Sequence, residues 1–183
     1  MNRARRLLSS YTKFIAVPWR DDAAPAQRVV FCVYNENEEL RLRARIDEFE
    51  IATRDAGHAW FLFDLTDTFA EWLTGQRYAE SYYRKPELLG TLLPKYLDDI
   101  TERFSQFLKA NGADTNSVVA LQGVGSLFGL LKVKSVVEKL APLVDGRLVV
   151  FFPGTFENNN YRLLDGYDGW NYLAIPITTD MDV

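Results

Sequence analysis

The residues best equipped for chemistry lie where apolar runs end in small or polar residues. Gly123-Val124-Gly125-Ser126 follows the apolar run Ser117 to Gln122 and precedes a helical pattern. A strand, a glycine-rich turn and a helix can cradle a phosphate with backbone N–H groups. The phosphate-loop signature G-x-x-x-x-G-K-[ST] is absent, however, and no lysine follows at the required place. The dinucleotide fingerprint G-x-G-x-x-G also fails: Phe128 holds its third glycine position and Gly129 comes one residue late. The turn therefore reads as one that needs positive φ or close backbone approach. A nucleotide-binding enzyme or sensor using Gly123 to Ser126 with Asp64 is the first rival.

Asp64 and Asp67 end a second apolar run, in the manner of a metal-binding acid of an NTPase. Without a phosphate loop they have no Mg²⁺–nucleotide to hold, and helix capping is the simpler role. His58 is the only histidine, which excludes a multi-histidine metal site. Following Gly57, it reads as a loop residue. Cys32 is the only cysteine, so no internal disulfide can form. It stands inside the run Val29 to Val33, where a buried, inert thiol fits better than a nucleophile. Ser126 lacks the G-x-S-x-G elbow of a serine hydrolase. No catalytic residue, metal or cofactor is assigned on these patterns.

Two clusters suggest contacts instead of catalysis. Trp72, Tyr78, Tyr82 and Tyr83 lie near Arg77, Arg84 and Lys85. Tyr, Trp and Arg dominate interface hot spots, and an ordinary exposed helical hairpin reads the same way. Arg41, Arg43, Arg45 and Arg54 alternate with Glu38, Glu48 and Glu50 along one helical pattern. Interleaved acids argue against a nucleic-acid stripe, as does the formal net charge of −4. A nucleic-acid-binding module using these arginines and the tyrosine-rich segment is the second rival.

The elements that must position these residues follow from patterning. The chain has 183 residues, 48% of them apolar and 25% charged, which suits one globular domain. Arg3 to Val17 is an amphipathic helix with Leu7, Tyr11, Phe14 and Ile15 on one side, expected to dock on its own domain. Residues 18–27 read as a linker and 28–177 as the core. Strands are expected at Arg28 to Tyr34, Ala59 to Leu65, Ser117 to Gln122, Arg147 to Phe152 (closed by Pro153-Gly154) and Asn171 to Ile177. Helices are expected over about Glu36 to Asp55, around Phe69 to Leu73, from about Leu88 to Ala110 and around Val133 to Leu140. Glu157 to Asn160 and Asp165 to Gly169 read as loops. Strands alternating with helices imply a single α/β domain, Rossmann-like or degenerate P-loop-like. Its mostly parallel sheet would have about five strands, the last edge-placed by Pro176 and a candidate for antiparallel pairing. No apolar stretch reaches the length of a membrane span, and no signal-peptide pattern follows the basic N-terminus, so the expected address is the cytoplasm.

Three segments taken together resemble the BrxB family of BREX phage-defence systems. They are Leu121 to Leu127 (LQGVGSL), Val149 to Gly154 (VVFFPG) and Tyr161 to Tyr172 (YRLLDGYDGWNY). The resemblance extends from Arg28 to Ile177. It implies a small cytoplasmic bacterial protein encoded beside a methyltransferase, a large ATPase and PglZ, a phosphatase-like protein. It further implies a non-catalytic role: binding PglZ and helping to assemble the defence complex. The large ATPase is a further candidate partner, and nucleic acid would be reached only through the complex. The positions that carry the match are Gly123, Gly125, Ser126, Pro153, Gly154, Tyr161, Arg162, Asp165, Gly169, Asn171 and Tyr172, and they equally suit fold determinants. The chain stops soon after its final strand, where the resemblance leads one to expect a further C-terminal element.

Overall fold

The computed structural model describes residues 2–170 and 174–179. Seven strands run in chain order: β1 (Val29–Tyr34), β2 (Ala59–Asp64), β3 (Ser117–Gln122), β4 (Arg147–Glu157), β5 (Asn160–Leu163), β6 (Gly166–Trp170) and β7 (Ile175–Ile177). Five of them form a sheet in the order β2-β3-β4-β1-β7, and every pairing along it is parallel. All six residues of β1 are buried, as expected of a strand covered on both faces.

The covering helices divide by face. α1 (Arg3–Ile15), α2 (Glu39–Arg43) and α3 (Ile46–Asp55) bury Leu7, Tyr11, Ile15, Leu42, Ile46 and Phe49 against Val30, Cys32, Val149 and Phe151. Helical spacing alone brings Leu42, Ile46 and Phe49 to one side. The Tyr11 hydroxyl meets Thr53 Oγ1 at 2.6 Å inside this layer, so α1 is part of the core. On the opposite face, α4 (Thr68–Thr74), α6 (Leu93–Asn111) and α7 (Val133–Leu140) bury Trp72, Tyr96, Ile100, Phe104, Val136 and Val137. These pack on Phe31, Val119, Leu121 and Val150. α5 (Ala79–Arg84) connects toward α6 and has no buried residue.

Several boundaries differ from the sequence reading. The helix expected over Glu36 to Asp55 is interrupted near Ala44 and Arg45 and opens with a 3-10 turn, Glu36–Glu38. α6 starts late, with Pro94 in its first turn, where a missing N–H costs least. Gly112, at φ 64°, ends it in the left-handed conformation. Pro153-Gly154 does not close the fourth strand. β4 continues to Glu157, leaves the parallel sheet and enters an antiparallel hairpin with β5, which then pairs with β6. Of the residues read as loop, Glu157 and Asn160 pair across the hairpin, Asn158 and Asn159 take φ of 51° and 62° and make its turn, and Gly166 to Gly169 belong to β6. β7 pairs parallel to β1, against the antiparallel expectation. Its Pro176 lies at the sheet edge, as expected.

Candidate functional site

β1 and β4 are neighbours whose chains leave toward opposite faces: β1 into α2 and α3, β4 into the β5–β6 hairpin. That divergence opens a crevice at the carboxyl ends of the strands, the usual ligand position in open α/β sheets. The cleft there measures about 260 Å³ and is lined by Glu36, Glu39 and Arg43 from one side and Thr66, Gly123, Gly125, Ser126 and Pro153 from the other.

The glycine turn in this crevice is filled from within the protein. Gly123 has φ +77°, and a Cβ placed on it would meet Thr66 Oγ1 at 2.4 Å and Asp64 Oδ1 at 2.7 Å. The end of β2 therefore presses on the Cα side of the turn. The Ser126 hydroxyl is spent on internal carbonyls, those of Gly123 at 2.7 Å and Leu65 at 3.1 Å. The Ser126 and Phe128 amides are bonded to Gly123 and Gly125 carbonyls. This bears out the reading of a turn that needs positive φ and close approach.

A polar network ties the strand ends together. Asp64 Oδ1 accepts from the Thr66 amide at 2.9 Å and from its hydroxyl at 2.5 Å, while Gln122 Nε2 donates to Asp64 Oδ2 at 2.9 Å. Arg43 reaches across, donating to Thr66 Oγ1 at 2.9 Å and lying 3.8 Å from Asp64 Oδ2. It also donates to Glu39 Oε1 at 2.6 Å, and Glu39 accepts from the Tyr34 hydroxyl. Partial burial alone would raise the Asp64 carboxyl, but the Thr66 and Gln122 bonds and the Arg43 charge outweigh it and hold it below its ordinary value. Burial and the Glu39 contact both push the Tyr34 hydroxyl upward, so it stays protonated. The role given to Asp64 and Asp67 as helix caps is corrected. Asp64 makes a local turn with Thr66, and Asp67, although at the N-cap of α4, makes no side-chain capping bond.

The other candidates separate by burial. Trp72 belongs to the core, 5.3 Å from Tyr96 between ring centroids, and not to a surface patch. Tyr82 is half-buried against the same core. Tyr78 and Tyr83 stand 58% and 55% exposed, beside Leu88 at 44%. The Arg77 guanidinium lies over the Tyr78 ring, and Arg84 makes only a loose 3.9 Å pair with Glu80. The arginines of α2 and α3 are engaged locally: Arg41 with Glu38, Arg45 with Glu48 and Arg54 with Glu50. Cys32 is buried, and burial pushes its thiol up, away from reactivity. His58 lies in the loop before β2, as read, and its ring stacks on Trp19 and bonds Asn116 at 2.6 Å.

The three sequence segments meet at the crevice. A Cβ on Gly125 would touch Pro153 Cγ at 3.4 Å, and one on Gly166 would strike the Phe128 ring at 2.7 Å. A Cβ on Gly154 would fall 1.8 Å from the Arg162 carbonyl oxygen, so only glycine lets β4 and β5 approach there. The Leu164 amide bonds the Pro153 carbonyl at 2.8 Å, Arg162 donates to the Asp165 carbonyl at 2.9 Å, and Tyr161 is fully buried, its hydroxyl bonding the Ala174 carbonyl. Asn171 and Tyr172 lie outside the described residues. The family model described as BREX protein BrxB matches residues 64–176, more than half of the chain. The chain belongs to the BrxB family. The BrxB match spans Asp64, the glycine turn, Pro153-Gly154 and Tyr161, while Glu39 and Arg43, which complete the network, precede it. No curated protein and no solved structure matches the chain.

Sequence reasoning does not assemble this network: it names Arg43 only among the helix arginines and does not single out Tyr34, Glu39 or Gln122. The four-residue spacing of Glu39 and Arg43 was a readable signal for a helical ion pair. Their reach to the end of β2 depends on strand order.

Proposed function

We propose that this BREX protein acts as a non-catalytic binding component of the defence complex, docking a PglZ-like partner through the surface around α5. BrxB-family membership makes the chain a component of a BREX phage-defence system. The observation that carries the finer reading is the glycine turn packed from within by the end of β2. At the position where an α/β sheet ordinarily holds its ligand, Asp64 and Thr66 press on the Gly123 turn, and the open part of the cleft is lined by the acids Glu36 and Glu39 beside Arg43. By contrast, Tyr78, Tyr83 and Leu88 are large apolar groups left open to solvent, with Arg77 and Arg84 beside them. That composition suits a hot spot. The motif positions from Gly123 to Asp165 then serve to shape the domain, and the partner reads a surface held at a distance from them. Among the described residues, no helix is long and apolar enough to cross a membrane, which suits a role in a cytoplasmic complex.

Co-expression with the PglZ-like protein and with the large ATPase tests this, read by size-exclusion chromatography. The expected result is a stable complex with the PglZ-like protein. Separate elution in every pairing would overturn the reading. ATP titration by calorimetry is expected to give no heat of binding, and micromolar binding lost on Gly125→Trp would instead favour a nucleotide sensor.

A further inference from the structure

The amino-terminal end of the sheet holds a cleft that the proposed function does not use. Trp19, in the connection between α1 and β1, lies flat on His58 with ring centroids 3.6 Å apart and planes within 3°. The Arg147 guanidinium stands over the same indole, its Cζ 4.7 Å from the centroid. An imidazole stacked that closely leaves no room for a guanidinium on its side, so the two cover opposite faces of Trp19. The supposed linker is thereby clamped between the starts of β2 and β4.

Arg147 is unusual in what it lacks. It is 9% exposed and donates to the carbonyls of Gly146 at 3.3 Å and Arg20 at 3.2 Å, both long for a charged donor. Among the described residues no carboxylate pairs with it. Burial and the neighbouring Arg28 hold it below the ordinary arginine range, and Asp21 offsets this only in part. Arginine is almost never buried without a partner, because an uncompensated charge is costly there.

Beside it opens a cleft of about 340 Å³ with Phe14, Val17, Pro18 and Ile175 as apolar walls. Gln27 also lines it, with Oε1 already accepting from the Ala24 amide, so its amide NH₂ is what remains to offer. Arg20 lines it too, but its guanidinium is paired with Asp22 at 3.1 Å, so Arg147 and the Gln27 NH₂ are the donors left to a ligand. One guanidinium fork matches one carboxylate, whereas a phosphate dianion would call for more positive charge. We propose that this cleft binds an organic carboxylate, its COO⁻ on Arg147 and its apolar body along Phe14, Val17 and Ile175. The acid is either a small free carboxylate or the carboxyl terminus of a peptide.

The test uses the full chain and three probes: phenylacetate, its neutral isostere phenylacetamide, and N-acetylphenylalanine. Binding is followed through indole N–H resonances and by calorimetry. Phenylacetate is expected to saturate with a Kd of about 1 mM, ordinary for so small a ligand. Phenylacetamide should bind at least ~10-fold more weakly, since it cannot make the charge-assisted fork. Arg147→Lys keeps the charge and loses the fork. Val17→Glu alters an exposed wall residue and places a like charge at the mouth, weakening phenylacetate about fivefold or more. Melting temperatures identify any variant that fails to fold, and Val17→Glu stands if Arg147→Lys does not. Tighter binding of N-acetylphenylalanine than of phenylacetate assigns the acid to a peptide terminus, and the reverse assigns it to a free acid. Equal binding of phenylacetate and phenylacetamide, no saturation by any probe, or phenylacetate affinity untouched by Val17→Glu would overturn the proposal.

Discussion

Replacing Gly123 with alanine tests directly whether the glycine turn is filled by its own protein. Two costs are expected. The first is the left-handed backbone at φ +77°, about 1–2 kcal/mol for any residue with a Cβ. The second is steric: the new methyl would lie 2.4 Å from Thr66 Oγ1 and 2.7 Å from both Asp64 Oδ1 and the Thr66 amide. Relief requires moving the end of β2 and loosening the Asp64–Thr66–Arg43 bonds, an overpacking cost of about 1–3 kcal/mol. Gly129 supplies the control. Its φ is +76°, but a Cβ there meets nothing within 4 Å. Gly129→Ala should therefore carry the backbone cost alone, and Gly123→Ala should exceed it by about 1–3 kcal/mol. Urea unfolding followed by circular dichroism measures both, with the m-value checked for constancy. If the two variants are equally destabilised, the space beside Gly123 is open, and the argument against a phosphate there is wrong.

Further expectations concern the network and the core. Because the folded Asp64 carboxyl sits below its ordinary value of 3.8, it stabilises above that value, and the contribution is lost as pH falls through the folded value. The stability gap between wild type and Asp64→Asn should thus be flat from neutral pH to about pH 5 and shrink below 3.8. It should stay under about 1 kcal/mol because the group is nearly half exposed. A gap that widens on acidification would contradict the assigned bonds. Tyr11→Phe removes the buried contact with Thr53 and should cost about 1 kcal/mol in a thermal melt. No loss would mean that α1 does not depend on that contact.

Much of this fold was legible because local patterns and burial agree. The unbroken apolar run of β1 and the spacing of Leu42, Ile46 and Phe49 are decided by short-range periodicity, and the layers follow. The β5–β6 hairpin was not legible. Pro153-Gly154 is a stop signal in most contexts, yet here the proline sits opposite Tyr34 and the glycine admits the Arg162 carbonyl, so the strand passes through. The informative residues were Asn158 and Asn159, which tolerate the left-handed turn of a tight hairpin. The direction of β7 follows from its parallel pairing with β1, which its own three residues do not encode. Trp72 was grouped with the exposed tyrosines by proximity in sequence, but it packs on Tyr96 one helix away. The Arg43–Asp64 link joins the helix after β1 to the end of β2, two strands separated in the sheet by β3 and β4, which no spacing rule conveys.

The proposed docking of a partner on the exposed α5 surface stands or falls on Tyr78 and Tyr83. The most direct measurement is the affinity of the Tyr78→Ser/Tyr83→Ser double variant for the PglZ-like partner, by calorimetry, with the melting temperature recorded. Both side chains are more than half exposed, so the fold should be unaffected. A loss of about 30-fold or more is expected, the effect of removing a hot spot worth about 2 kcal/mol. Wild-type affinity in the double variant would place the partner elsewhere and contradict the account.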